Sequence, residues 1–235
     1  MTHTRSKTPF VRATLLALAF VIGCGALGPV AAQERTLPLV DEGASDMTWL
    51  RFKKRLMAAI EKRDKQFLLS ILDKNVRNQD ERARGVAHFR KQWELDTPDS
   101  PVWHELATAL QLGGAYLQRD KGQKELCAPY LLGKWPEDLE PFNHAAVISR
   151  NAALQAEPTS ASRSIAALSY DIVTVLNWEV DDRADAKQKW VRVRHLDREG
   201  YLPEEQIRSP IEQAACFVKS GSGWRMTGFA PAGGE

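Results

Sequence analysis

After residue 32 this chain has no long apolar run, so no membrane-spanning helix is expected in that part. It has no G-x-S-x-G and no phosphate-binding glycine loop, which removes the usual signatures of serine hydrolases and nucleotide hydrolases. It has no pair of histidines one helical turn apart. "WHEL" lacks the second one, and His88, His104, His144 and His195 are scattered, so no metal site is expected. Cysteine is scarce: Cys24, Cys127 and Cys216 are the only three. A large excess of one charge is also missing. The formal net charge is +2, and the leader described next accounts for three basic residues and no acidic one. The remainder therefore carries −1, which argues against a nucleic-acid partner.

What is present begins with a leader. Arg5, Lys7 and Arg12 precede the apolar "ATLLALAFVIGCGAL", and small residues follow at "PVAAQE". This is the pattern of an export signal spanning residues 1–32, with cleavage after Ala32 and a secreted or periplasmic product. An uncleaved N-terminal anchor is one alternative. A lipoprotein is another, because "VIGC" resembles a lipobox that would place a lipid on Cys24. The roughly 200 residues that remain suffice for one large or two small domains. Cys127 and Cys216 form one possible disulfide in an oxidising compartment. The other reading is two buried thiols.

Residues 33–45 have no periodicity and read as a flexible arm. From 46 to 141 the pattern is helical with a proline-punctuated connector. Trp49, Phe52, Leu56 and Ile60 share a helix face, and Asp64 can cap a second helix carrying Phe67, Leu68, Ile71 and Leu72. Val86, Phe89 and Trp93 mark a third. Ser100-Pro101 opens a fourth with Trp103, Leu106 and Leu110, which Gly113-Gly114 ends. The three tryptophans are expected in a helical core. "RFKKR" is expected to be the solvated side of its helix.

From about residue 142 the period changes to two. "AAVIS", "SIAAL", "IVTVLNW" and "KWVRVRH" read as short strands, with "LQAEPTSAS" and "EVDDRADAKQ" as loops. "DREGYL" is a turn into another strand, and "PEEQI" a short helical turn. "ACFVKS" and "GWRMTGF" flank "GSG" as a terminal hairpin. The expected fold class is α+β: a helical N-terminal half, then a small barrel with an added hairpin over 142–235.

Residues 145–211 resemble the bacterial SH3-type (SH3b) domain. The resemblance rests on Pro158-Thr159 in the first loop, the strands "SIAAL" and "IVTVL", "WVRV" from Trp190 to Val193, and "GYL" from Gly200 to Leu202. The ending, "SPIEQAACFVKSGSGWRMTGF", is similar to that of a group of bacterial envelope proteins of unknown role. Strand alternation puts Val191 and Val193 inside and Trp190, Arg192 and Arg194 on the other face, with Trp190 on the outer side or in a groove rimmed by loops. Gly200 can supply the backbone freedom of a tight turn before Tyr201. The resemblance implies an aromatic slot for an extended peptide, with Tyr170, Trp178, Trp190 and Tyr201 as candidates. The acidic run Glu179, Asp181, Asp182, Asp185 lacks the glycine turn and closing glutamate of a calcium loop and reads as a solvated hairpin loop.

These readings imply an exported, non-catalytic binding or adaptor protein without a cofactor. Its partner would be a peptide, peptidoglycan or an envelope protein. One alternative is a structural protein whose barrel packs only on its own helical half or a partner. Another is a cell-wall hydrolase using Cys127 and His144.

Overall fold

The computed structural model describes residues 1–2, 34–80, 82–119, 122–182, 184–185, 187–221 and 223–232. Apart from residues 1–2, the expected leader, with its cleavage point and Cys24, lies outside the described residues. Among the described residues no helix is long and apolar enough to cross a membrane.

Asp46 starts α1 (Met47–Glu61) by accepting the N–H groups of Thr48 at 2.7 Å and Trp49 at 3.3 Å. Two donors that the helix leaves orphaned are thereby satisfied. Lys219 (2.9 Å) and the Thr48 hydroxyl (2.6 Å) also hold this carboxylate. Trp49, Phe52, Leu56 and Ile60 recur at helical spacing and are all buried. Asp64 caps α2 (Lys65–Ile71) through the N–H of Phe67 at 3.0 Å. The chain then runs directly into β1 (Leu72–Arg77). α3 (Val86–Gln92) and α4 (Val102–Gln111) follow, and Gly113, at φ +71°, turns the chain out of α4. A side chain there would be strained by that φ, and its Cβ would lie 2.4 Å from the Val40 carbonyl oxygen. β2 (Ala115–Gln118), β3 (Lys124–Ala128) and the single turn α5 (Leu131–Lys134) complete this part.

The expected fold class is corrected here. The described chain is mostly β, with twelve strands in two sheets and five short helices. The helices do not form an N-terminal half with a core of their own. They cover a five-stranded sheet ordered β1-β12-β11-β3-β2, in which β11 (Gln213–Ser220) and β12 (Gly223–Pro231) are the terminal hairpin. That hairpin is not an addition to the second sheet. β12 pairs parallel with β1, matching Leu72 with Met226, and β11 pairs antiparallel with β3, matching Cys216 with Cys127. The tryptophans expected in a helical core, Trp49, Trp93 and Trp103, sit in one that the helices share with this hairpin. Trp49 lies 5.1 Å from Phe217 and 5.0 Å from Trp224 between ring centroids, and Trp93 stacks on Phe229 at 4.6 Å. Each such buried ring contributes about 1.5–3 kcal/mol of transfer free energy. The apolar faces of α1 and α4 are therefore satisfied by strands from the far end of the chain.

The second sheet has seven strands: β4 (His144–Val147), β5 (Ala152–Gln155), β6 (Ser164–Leu168), β7 (Ile172–Asp181), β8 (Lys189–His195), β9 (Arg198–Pro203) and β10 (Ile207–Arg208). Their order is β10-β4-β7-β8-β9-β5-β6. Residues from all seven, including Val147, Leu154, Leu168, Val173, Val191, Val193, Leu202 and Ile207, share one core. The sheet is therefore curled on itself, while β6 and β10 remain its two edges. β5 occupies part of what the sequence reads as a loop. Pro203 leads into a 3-10 turn, Glu204–Gln206.

Gly200 does not have the positive φ of a special turn. It is required for space: a Cβ would lie 2.7 Å from the Gln155 carbonyl oxygen and 2.8 Å from Leu154.

A third core joins the two sheets. Leu37, Leu112, Ala115, Tyr130, Leu131, Ala146 and Ile172 meet there. The arm expected to be loose is fastened at this point. Thr36 bridges to Asp171, the Leu37 N–H donates to the Tyr170 carbonyl at 2.7 Å, and the Tyr130 hydroxyl donates to the Leu37 carbonyl at 2.7 Å.

Candidate functional site

A cleft of about 800 Å³ runs between α4 and the seven-stranded sheet. α4 contributes His104, Glu105, Thr108 and Gln111, and the sheet side contributes Trp178, Ile148 and Ile207. Phe142 stands on its rim, 61% exposed. Trp178 reaches the cleft because β7 is irregular there. Its register with β8 shifts between Val175 and Asn177 and again before Val180, and Glu179 has φ +55°. Such a bulge re-aims side chains.

The cleft is acidic in effect. Glu105, Glu179, Glu204, Glu205 and Glu212 line it, against the cations Lys187, Lys189 and Arg208. Two of its cations are neutralised in place: Lys189 pairs with Asp181 at 2.5 Å, and buried Arg208 pairs with Glu212 at 2.6 Å. The Gln188 amide donates to Glu205 at 2.9 Å. The geometry is that of a partly apolar trough with carboxylates at its mouth.

The four aromatic residues singled out in the sequence are not gathered into one slot. Only Trp178 among them lines the cleft. Trp190 is not on an open outer face; it is 2% exposed, and its indole N–H donates to Asp182 at 2.8 Å. That carboxylate also accepts the N–H groups of Ala184 (2.7 Å) and Asp185 (3.1 Å). The bond from Ala184, with those from Trp190 and Asp185, holds the Asp182 carboxyl below the usual range against its partial burial. Asp182 is thus closed over the ring, while Glu179, Asp181 and Asp185 of the same acidic run are exposed as expected. Tyr170, at φ +63°, is on the turn beside the arm, with the Arg150 guanidinium 5.9 Å from its ring centre. Tyr201 is half-buried on β9, opposite Arg192 and Gln155.

Cys127 and Cys216 are joined by a disulfide across β3 and β11. Cys127 is fully buried, and its sulfur is not the free thiolate that a thiol hydrolase needs. Beside the bridge lies a buried carboxylate, Glu125. Arg77 binds it through two bonds (3.0 and 2.7 Å), Arg119 through one (2.8 Å), and the Thr227 hydroxyl through one (2.8 Å). Burial pushes its pKa up, but the Arg77 and Thr227 hydrogen bonds and the arginine charges outweigh that and hold it below the ordinary range. All of its partners are internal, so this network braces the first sheet.

No protein-family model, curated protein or solved structure matches this chain.

A second, smaller cavity of about 220 Å³ opens where the arm meets β7 and β8. Glu34, His144, Thr174, Arg194 and His195 line it, and Asp171 lies beside His195. The sequence shows His144 and His195 as unrelated, 51 positions apart. The fold sets them on one wall, because β4 and β8 both flank β7. Sequence reasoning also misses Phe142, Glu204 and Glu205 as cleft residues. The only signal for them was their position in punctuated segments between elements.

Proposed function

We propose that this chain is an exported, non-catalytic binding protein of the bacterial envelope, and that its cleft takes an extended cationic peptide. The observation carrying this reading is the trough between α4 and the seven-stranded sheet, with Trp178 in its wall, Phe142 exposed at its rim and glutamates at its mouth. Flat rings bury area at little rotamer cost, and carboxylates attract amines. The likeness of residues 145–211 to bacterial SH3-type domains supports a peptide ligand of the envelope, including the peptide stems of peptidoglycan. The leader pattern supports export.

Binding is tested with the full chain against a fluorescent lysine-rich peptide, its glutamate counterpart and isolated cell-wall sacculi. Phe142→Ala removes an exposed ring, so it perturbs the rim without opening the core. Preference for the cationic peptide, weakened roughly fivefold or more by Phe142→Ala and by Trp178→Ala, supports the reading. Sacculus retention that falls with the same variants identifies peptidoglycan as the source of the peptide. Equal binding of both peptides, or indifference to both substitutions, overturns it.

A second reading is an interaction protein whose sheet packs only on its own first part. Burial of Trp190 and the shared third core favour it. Absence of any peptide or sacculus binding, with the fold intact, is the outcome that selects it.

A further inference from the structure

We propose that Glu34, Asp171 and His195 form a binding site for one divalent transition-metal ion of the zinc class. His195 ends β8 with its side chain 10% exposed, and Asp171 precedes β7 with its side chain 4% exposed. Their facing atoms, Nε2 and Oδ1, are 3.3 Å apart, yet neither makes a hydrogen bond. Two buried polar atoms in that condition require an explanation, since such groups are nearly always paired.

A shared metal supplies one. Ligands bonded to zinc at about 2.0–2.1 Å and disposed tetrahedrally are separated from each other by about 3.3 Å. That is the spacing between His195 and Asp171. The Glu34 carboxylate completes a group of three ligand atoms lying within 4.8 Å of one another. Glu34 is exposed, so rotation of its side chain closes the remaining distance.

The surroundings orient these groups as a metal site needs. Asp171 Oδ2 accepts the N–H of Ser169 at 2.5 Å, which leaves Oδ1 as the oxygen facing His195. The Asp171 carbonyl accepts the N–H of Val147 at 2.8 Å, and the Ile172 N–H donates to the Arg35 carbonyl at 2.8 Å. The backbone is thus held on both sides, and the second bond fixes the residue next to Glu34. Arg35 itself is clamped by two bonds to Asp138, at 2.9 and 2.7 Å.

On the wall of the same cavity, His144 Nδ1 lies 2.8 Å from the Glu140 carbonyl. A carbonyl only accepts, so Nδ1 carries the hydrogen and Nε2 of the neutral ring keeps its lone pair. That is the tautomer of a nitrogen ligand, and the cavity has room for it or for water as a further ligand. One imidazole with carboxylates, and no thiolate, suits zinc and its first-row neighbours. Calcium and magnesium favour all-oxygen sets. Bound there, the ion would tie the arm to the middle of the second sheet.

The test uses the untagged full chain, stripped with chelator and titrated with Zn²⁺ by calorimetry. Co²⁺ absorption reports the ligand geometry. One equivalent is expected to bind, with visible bands of a low-coordinate cobalt site and no response to Ca²⁺. Glu34→Gln and His195→Gln should each weaken binding roughly tenfold or more, while His88→Ala, on exposed α3, should not. Should His195→Gln fail to fold, Glu34→Gln at its exposed position still decides. Absence of saturable binding overturns the proposal and leaves an Asp171–His195 ion pair. So does binding that survives both substitutions, or binding that depends on His88.

Discussion

The disulfide offers the sharpest test of how the first sheet is assembled. Cys127 and Cys216 sit opposite each other on β3 and β11, with Cα atoms 4.0 Å apart, and are 89 positions apart in the chain. Closing a loop of that length in the unfolded chain removes roughly 15 cal/mol/K of entropy, about 4.6 kcal/mol at 25 °C. Domains of this size are stable by only about 5–15 kcal/mol, so the bridge is a large share of the total. The experiment compares urea unfolding of the oxidised protein, the same protein under reductant, and Cys127→Ala/Cys216→Ala. Tryptophan fluorescence is a suitable readout because Trp49, Trp93 and Trp224 all pack around the hairpin. Both bridge-free forms should lose about 3–5 kcal/mol, and thermal midpoints should fall by roughly 6–20 °C. Bridge-free forms within about 1 kcal/mol of the oxidised protein would refute the Cys127–Cys216 cross-link, because a bridge over so long a loop cannot then be acting.

Further outcomes follow from side chains already described. Trp190→Phe keeps the buried ring and removes its bond to the Asp182 carboxylate; it should cost about 1.5–3 kcal/mol in urea unfolding, and a loss under about 0.5 kcal/mol would show that the bond is not formed. Glu125 has a folded-state pKa below its unfolded value of about 4.3, so its contribution is fully present above that pH and is lost as pH falls through the lower folded value. The urea midpoint should therefore drop as the pH is lowered past about 4, and Glu125→Gln, at a cost of about 2–3 kcal/mol at pH 7, should flatten that drop. An unchanged acid profile in the variant would contradict the network of Arg77, Arg119 and Thr227.

Local features were readable from the sequence wherever a short segment determines its own form. The capping aspartate Asp64, the apolar stripe of α1 and the alternation of β8 are of that kind. Val191 and Val193 point inward because a strand has a period of two and one face must be filled. The same alternation put Trp190 beside Arg192 and Arg194 on the other face, and it is there. What covers it was not readable, since alternation assigns a side and not a neighbour. β1 was missed because its middle residues, Asp73, Lys74 and Asn75, have little strand propensity, and pairing with β12 overrides that.

The fold class went wrong for a related reason. The hairpin of β11 and β12 was legible as two ribbons with a turn, but its partners lie far upstream, at Leu72–Arg77 and Lys124–Ala128. Nothing in either segment names the other. The cleft shares this property: Trp178 was visible as a candidate ring, while the helix that walls it in comes from residues 102–111.

The placement of β11 at the centre of the first sheet bears on when the protein can mature. A nascent chain emerging from the ribosome presents α1 through β3 long before their central strand exists. Those segments must wait with their rings uncovered until residues 213–231 have been delivered. Arrival of β11 and β12 then becomes the event that lets the first sheet close over those rings.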